Sequence, residues 1–381
     1  MRNFRVLIGG LALAALAAAG CVSGSDVGGG NANGNAGGAA RRVKGPNDPI
    51  KIGFSMDTLK EERWQRDKEL VEKHSRERGA EVLIEVANGD DRVQINQAEN
   101  LLTRGVDVLI VAPHNGEVAA SIVEAAHRQG VPVISYDRLI RNSDVDLYVS
   151  SQVVKIGEMQ AEYLLKRRPK GNYVIVQGSA TDNNARLLHE GHMNVLRPAI
   201  DRGDIRVVAN QPAREWLADE ALKIVENALT RANNDVVAVV ASNDGTARGA
   251  IQALANQGLA GKVLVSGQDA DLASMREILM GRQTMTVYKP IEPLARSAVE
   301  AAIKLARGEP VETNATINNG RKEVPSILHD LVAVDKDNIL QTVVRDGYHR
   351  LERICEGIPA DKCPRPSGAD TAAMPGANKE Q

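Results

Sequence analysis

Short runs of consecutive apolar residues alternate with amphipathic stretches of helix length through most of the chain, and this rhythm leaves few folds open. Val236-Val237-Ala238-Val239-Val240 and Lys262-Val263-Leu264-Val265-Ser266 are two such runs. They are of strand length and lack the alternation of a strand with one wet face, so they predict a buried parallel sheet. Between them Ala247, Ala250, Ile251 and Leu254 recur at helical spacing, and Gly258 supplies the stop. Each strand ends in a polar cluster: Ser242-Asn243-Asp244 after the first, Gln268-Asp269 after the second. In open α/β sheets ligands bind in the crevice beyond the carboxyl ends of the strands. Uncharged amides and single carboxylates there suit hydroxyls better than phosphates. A plainer alternative assigns Asn243 and Asp269 to turns and Asp244 to a helix N-cap. Repetition of the pattern along the chain favours a site.

The alternation opens at Lys51. Strands are expected at Ile52–Met56, Val82–Val86, Val108–Val111 and Val131–Ser135, with helices at Glu61–Arg78, Val93–Arg104 and Val118–Gln129 between them. Right-handed βαβ units on a parallel sheet follow from that order. Polar groups close these strands too: Asp57, His114-Asn115 and Asp137-Arg138. After Leu147-Tyr148-Val149 the plan repeats, through Tyr173–Val176, Asp182-Asn183-Asn184, the helix Leu187–Ile200, the strand Ile205–Val208 and the helix Leu217–Arg231. Two successive α/β units of one plan predict two lobes facing one another. The chain holds two tryptophans. Trp64 has Asp67 and Lys68 where a core residue would have apolar partners, so its ring is expected at the cleft, stacked on a ligand, with an edge-of-core role as the alternative. Trp216 stands at a similar junction of loop and helix. Beyond Met285–Tyr288, a helix is expected at Ile291–Leu305, edge or crossover strands near Ile317 and at Leu331–Val334, and a last short helix at Asn338–Val344.

The N-terminus reads as a targeting segment. Arg2 and Arg5 precede an apolar stretch, Leu7–Gly20, that is too short for a stable membrane span. Ala18-Ala19-Gly20-Cys21 resembles the lipobox at which bacterial lipoproteins are acylated on cysteine, with Ala18 where leucine is usual; an ordinary cleaved signal is the alternative. Either way the protein leaves the cytoplasm. Removing residues 1–20 leaves 45 basic against 49 acidic residues, a charge of −4, which gives no sign of a nucleic-acid surface. Residues 21–49 are rich in Gly, Asn and Ala and read as a flexible tether. Cys355 and Cys363 are expected to form a local disulfide, as cysteines outside the cytoplasm do.

Against this background the chain resembles the two-lobed sugar-binding proteins of ABC importers, and among them the periplasmic D-xylose-binding proteins. The likeness runs from about Lys51 to Cys355 and is dense at Glu62-Arg63-Trp64-Gln65, Arg104-Gly105-Val106-Asp107, Tyr136-Asp137-Arg138, Asp182-Asn183-Asn184-Ala185, Ala241-Ser242-Asn243-Asp244, Ser266-Gly267-Gln268-Asp269 and Thr286-Val287-Tyr288-Lys289-Pro290. It implies a type I periplasmic binding protein fold: α/β, two Rossmann-like lobes with parallel sheets, joined by a hinge of three crossings near Ser150, Tyr288 and Gly320. The expected division is a signal peptide over 1–20, a lipidated Cys21 and tether over 21–49, an N-terminal lobe of 50–150 plus 290–320, a C-terminal lobe of 151–289 plus 321–345, and a tail over 346–381. Carried over by residue, the likeness implies that Arg63, Asp137, Arg138, Asn243, Asp269 and Lys289 hydrogen-bond the sugar, with Asn184 as a further candidate, and that Trp64 and Trp216 sandwich its ring. Thr58 and Lys60 depart from the pattern in the first ligand loop. The implied partners are D-xylose, the permease and ATPase of an importer and, through Cys21, a membrane; the protein is expected to be monomeric, with no cofactor, metal or nucleic acid. A protein of the same fold for ribose or glucose, serving a sensor kinase or chemoreceptor, is the alternative.

Enzyme readings find little support. No G-x-G-x-x-G follows the first strand, which ends Ser55-Met56-Asp57, and no G-x-S-x-G elbow occurs. His189-Glu190-Gly191-His192 lacks the spacing of a zinc protease and is expected to be a pair of solvated helix histidines. A sugar-responsive transcription regulator would carry a helix-turn-helix where this chain has its signal and tether.

Overall fold

The computed structural model describes residues 40–366. The expected signal peptide, Cys21 and most of the tether lie outside the described residues, as does the end of the tail. In chain order the first elements are β1 (Lys51–Met56), α1 (Glu62–Glu77), β2 (Glu81–Val86), α2 (Asp91–Thr103), β3 (Val108–Ala112), α3 (Ala120–Arg128), β4 (Val133–Tyr136) and β5 (Leu147–Ser151). A second series follows: α4 (Val153–Arg167), β6 (Gly171–Gln177), α5 (Asn183–Asp201), β7 (Ile205–Pro212), a 3-10 turn at Arg214–Trp216, α6 (Ala218–Arg231), β8 (Ala238–Ala241), α7 (Asp244–Asn256), β9 (Leu264–Val265), α8 (Leu272–Leu279) and β10 (Thr286–Tyr288). The chain then adds α9 (Ile291–Ala306), β11 (Ala315–Asn318), β12 (Glu323–His329), β13 (Val332–Val334), a π-helical turn at Leu340–Val344 and α10 (Leu351–Cys355).

The first lobe is a seven-stranded sheet in the order β11-β12-β5-β4-β3-β1-β2, parallel except where β11 meets β12. β3 and β4 are buried at every residue, as strands covered by helices on both faces must be. Alanines 295, 298, 301 and 302 of α9 pack with Ile52, Phe54, Ile110 and Ile134. The second lobe is built on a parallel sheet, β7-β6-β8-β9. The antiparallel pair β10-β13 adjoins it through a bridge between Gln268 and Val287. Helices α4 and α5 approach closely: a Cβ on Gly157 would stand 2.1 Å from the Leu188 carbonyl oxygen, and one on Gly191 2.1 Å from that of Val154. Only glycine fits at that crossing.

Three features differ from expectation. β12 pairs in parallel with β5, Ile327 beside Val149, so the third crossing lies beyond His329 and not near Gly320. The segment expected as tail is partly core, because Tyr348 and Ile354 are buried with Met275, Ile278 and Tyr288; Cys355 and Cys363 are disulfide-bonded, their Cα atoms 5.6 Å apart. The end of the tether is docked: the Arg42 and Lys44 amides donate to the carbonyls of Gly130 and Ala306, at 3.3 and 2.9 Å, and Lys44 pairs with Asp107 at 3.1 Å.

Candidate functional site

Every side chain expected at the site comes from the carboxyl end of a strand. Arg63 and Trp64 lie in the first turn of α1 after β1, and Asp137 and Arg138 directly follow β4. From the other lobe, Asn184 lies in the first turn of α5, Trp216 closes the 3-10 turn, Asn243 caps α7, and Asp269 and Lys289 follow β9 and β10. All of them line one cleft, together with Glu61, Asp182 and Gln268, around about 330 Å³ not filled by protein atoms, mouth included.

The charges in the cleft are paired and buried. Arg63 Nη1 stands 2.7 Å from Asp137 Oδ2 and its Nη2 3.0 Å from Asp67 Oδ2; Asp67 also accepts from the Tyr136 hydroxyl. Lys289 Nζ lies 3.5 Å from Asp137 and 3.2 Å from Asp269. Arg138 joins Asp57 at 2.6 Å and, across the lobes, Asp182 at 2.8 Å. Burial alone would raise the Asp137 pKa, but the Arg63 and Lys289 charges outweigh it and hold the carboxyl well below the usual range. Asp182 moves the other way: its burial raises the pKa more than Arg138 lowers it. Fixed carboxylates and guanidinium forks of this kind can each hold two neighbouring hydroxyls.

Backbone strain gathers here. Asp137, Glu215, Trp216, Asp269 and Ala270 have φ of 58°, 52°, 55°, 99° and 56°, conformations that non-glycine residues keep only where neighbours hold them. The Trp216 ring lies on Gly178, where a Cβ would meet ring carbon Cη2 at 2.1 Å. Trp64 is 3% exposed and belongs to the first lobe's core cluster while also lining the cleft. The Arg63 and Arg138 guanidinium carbons lie 4.2 and 5.1 Å from the Trp64 ring centre, a cation–π arrangement.

Asn243 likewise serves the fold while lining the cleft. Its Oδ1 accepts from the Thr246 amide and hydroxyl, both at 2.9 Å, and its amide NH2 has no protein partner among the described residues. Asp244 is no cap. Fully buried, it accepts from Gln283, Thr286 and the Asp271 amide, at 2.8, 2.9 and 2.9 Å, and so ties together the loops that carry Asn243, Asp269 and Lys289. Burial, then the Asp271 and Asp269 charges, push its pKa well above the usual range. His192, expected at the surface, is fully buried; the close α4–α5 crossing brings its Nε2 2.7 Å from Gln160 Oε1. The Gln160 amide donates to the carbonyls of Ala241, Ser242 and Gly267 at 3.3, 3.2 and 2.8 Å. Sequence reasoning placed Asp182 and Gln268 in the polar clusters at the strand ends without naming them as ligand contacts, and gave no site role to Glu61, although each adjoins a residue it did select.

Contacts between the lobes line the rim. Asn184 Nδ2 donates to the Asp137 carbonyl at 3.2 Å and to its Oδ1 at 3.1 Å, and the Gly116 amide donates to Thr181 O at 3.2 Å. Lys60 donates to the Glu215 carbonyl. Lys60 therefore bridges the cleft mouth.

Comparison with known proteins agrees with this architecture. Residues 52–310 match the family described as periplasmic binding protein domain. A D-xylose-binding periplasmic protein of Haemophilus influenzae is 52% identical over 80% of this chain and 92% of its own length. One from Escherichia coli is 50% identical over 79% of this chain and 91% of its own length. A solved carbohydrate transporter solute-binding protein from Chloroflexus aurantiacus, in complex with D-glucose, superposes with a TM-score of 0.76 at 33% identity, covering 81% of this chain and 98% of that one. The chain thus belongs to the periplasmic binding proteins, the family of these sugar-binding relatives.

Proposed function

We propose that this protein captures D-xylose, or a closely related aldose, between its two lobes outside the cytoplasm and delivers it to the permease and ATPase of an ABC importer. The observation that carries the reading is the composition of the cleft: two indoles and three charge-paired cations with their carboxylates, drawn from both lobes to line one site. In this reading Arg63, Asp137, Arg138, Asn184, Asn243, Asp269 and Lys289 bond the hydroxyls, and Trp64 and Trp216 cover the apolar faces of the ring. Asp182, Glu61 and Gln268 complete the polar wall. The D-xylose-binding relatives at 50–52% identity support the choice of pentose. A glucose complex at 33% identity favours a hexose as the second reading. Titration calorimetry against D-xylose, D-ribose, D-glucose and L-arabinose separates them: D-xylose is expected to bind most tightly, and a clear preference for glucose would replace the pentose assignment.

The protein is further proposed to be monomeric and held to a membrane through an acyl group on Cys21. The support for the anchor is Ala18-Ala19-Gly20-Cys21, followed by a Gly/Asn/Ala-rich stretch. Cys21→Ala is expected to release the protein into the soluble fraction without acyl label; retention in the membrane with the label intact overturns the anchor and leaves the sugar reading untouched.

A further inference from the structure

The strained turn that carries Asp269 is gripped from behind by residues outside the cleft. Its two consecutive carbonyls are both engaged by the C-terminal segment: the Tyr348 hydroxyl donates to Asp269 O at 3.2 Å, and His349 Nε2 donates to Ala270 O at 2.7 Å. With the proton on Nε2, the neutral ring has Nδ1 as acceptor, and this atom stands 3.3 Å from Arg66 Nη2 of α1, in the opposite lobe. The Arg66 guanidinium also lies over the Tyr348 ring at 4.3 Å and pairs with Glu62 at 3.3 Å. Glu62 in turn accepts from the Leu272 amide at the start of α8, at 2.9 Å, and Leu70 packs against the core cluster that contains Tyr348. Residues 62, 66 and 70 form one stripe of α1, beside the residues that the same helix sends into the cleft.

We propose that Tyr348 and His349 are positioning residues for Asp269, and that Glu62 and Arg66 lock them in place when the lobes close, forming a latch outside the cleft that raises sugar affinity. The proposal rests on the sugar-site reading above. Two donors from a buried segment hold the Asp269 backbone at a φ that would otherwise relax, and the carboxylate keeps its place between Lys289 and Arg63. Because the donors are themselves held by the opposite lobe, closure and site geometry reinforce one another.

The latch requires a neutral imidazole, since a second N–H on Nδ1 would point at the Arg66 guanidinium. The charged groups facing the ring are Arg66 and Glu62 from α1 and Arg353 from α10, with Arg350 on the same pocket wall and Tyr348 beside it. Burial lowers the His349 pKa from its ordinary 6.5, outweighing the upward effects of the Ala270 carbonyl and Glu62. The closed state then binds fewer protons than one in which the ring is free, so affinity declines as the pH falls below about 6.5.

The test is calorimetric titration of D-xylose at pH values near about 7.5 and about 5.5, on the wild type, His349→Phe, His349→Gln, Arg66→Met and Asp269→Ala, with circular dichroism to confirm folding. His349→Phe and Arg66→Met are expected to weaken binding about 5- to 50-fold near neutral pH. His349→Gln, whose Nε2 reproduces the donor to Ala270 O, recovers most of that affinity and removes the acid-side loss. Wild-type affinity in His349→Phe and Arg66→Met at both pH values, beside lost binding in Asp269→Ala, overturns the latch and leaves the sugar site standing. If Asp269→Ala binds like the wild type, the sugar site falls and the latch with it. Should His349→Phe not fold, parallel pH profiles for the wild type and His349→Gln overturn the proposal.

Discussion

Asp269 lies 3.2 Å from Lys289 and 4.0 Å from Arg63, so its carboxylate is charge-paired without help from a ligand and can accept hydroxyls without moving. In the proposed site, its removal leaves two sugar hydroxyls and part of the Lys289 charge unpaired in a closed cleft. Asp269→Ala is therefore expected to weaken D-xylose binding by about 2–4 kcal/mol, on the order of 30- to 1000-fold in Kd. Trp216→Ala removes an indole that is only 8% exposed and is expected to cost about 1–3 kcal/mol of affinity. A residue that serves only as turn or cap behaves differently when replaced: the empty protein melts a few degrees lower and the folded protein binds as before. Calorimetry and thermal melting on the same variants distinguish the two, and unchanged affinity with lowered melting in both would remove these residues from the site. Asn243 shows why sequence alone left this open, since its oxygen caps α7 while its amide NH2 faces the cleft. A side chain with two ends can satisfy both readings.

At the scale of elements, the βαβ units were legible because their strands are continuous apolar runs and their helices carry one buried stripe, two periods that are hard to confuse. The polar clusters were legible for the same reason, as they fall where the strands stop. The third crossing was not. Residues 319–322 join β11 to β12 as a hairpin, with Ile317 opposite Val324 and φ at Gly320 of 96°; a short loop with Gly between two strands is a hairpin signal, and reading it as a hinge displaced the lobe boundary. Buried polar hubs were equally hidden, because nothing in a helical sequence says which histidine a neighbouring helix will cover. His192 is such a case, its pKa pushed down to about 3 by burial and by His189. The fold keeps this ring neutral while the unfolded chain takes up a proton, so stability falls as the pH drops from about 6.5 toward about 3, by up to about 2–5 kcal/mol. His192→Gln, which keeps a donor toward Gln160, is expected to lose stability less steeply between pH values near about 7 and about 4 in denaturant unfolding. An equally steep loss in the variant would assign that acid sensitivity to other groups.

At the scale of the whole molecule, the site exists only when the lobes meet. Arg63, Trp64, Asp137 and Arg138 come from one sheet, and Asn184, Trp216, Asn243 and Asp269 from the other lobe, with Lys289 at a crossing between them. A ligand that touches both sets binds the closed arrangement far better than an open one, and so must shift the population toward closure. Contacts that need no sugar also favour closure, among them Arg138 with Asp182 at 2.8 Å and Asn184 with Asp137 at 3.1 Å. These set how far the empty protein lies toward the closed form, and hence how much of the binding free energy is spent on closing it. Small-angle scattering is expected to show a smaller radius of gyration at saturating D-xylose than without sugar. Asn184→Ala, which removes a bond between the lobes, is expected to enlarge that difference by opening the empty state while weakening affinity by about 1–2 kcal/mol. No compaction in the wild type with a sugar shown to bind would mean that the lobes do not close on the ligand. An unchanged apo radius in Asn184→Ala, with affinity lost, would mean that Asn184 acts through the sugar alone.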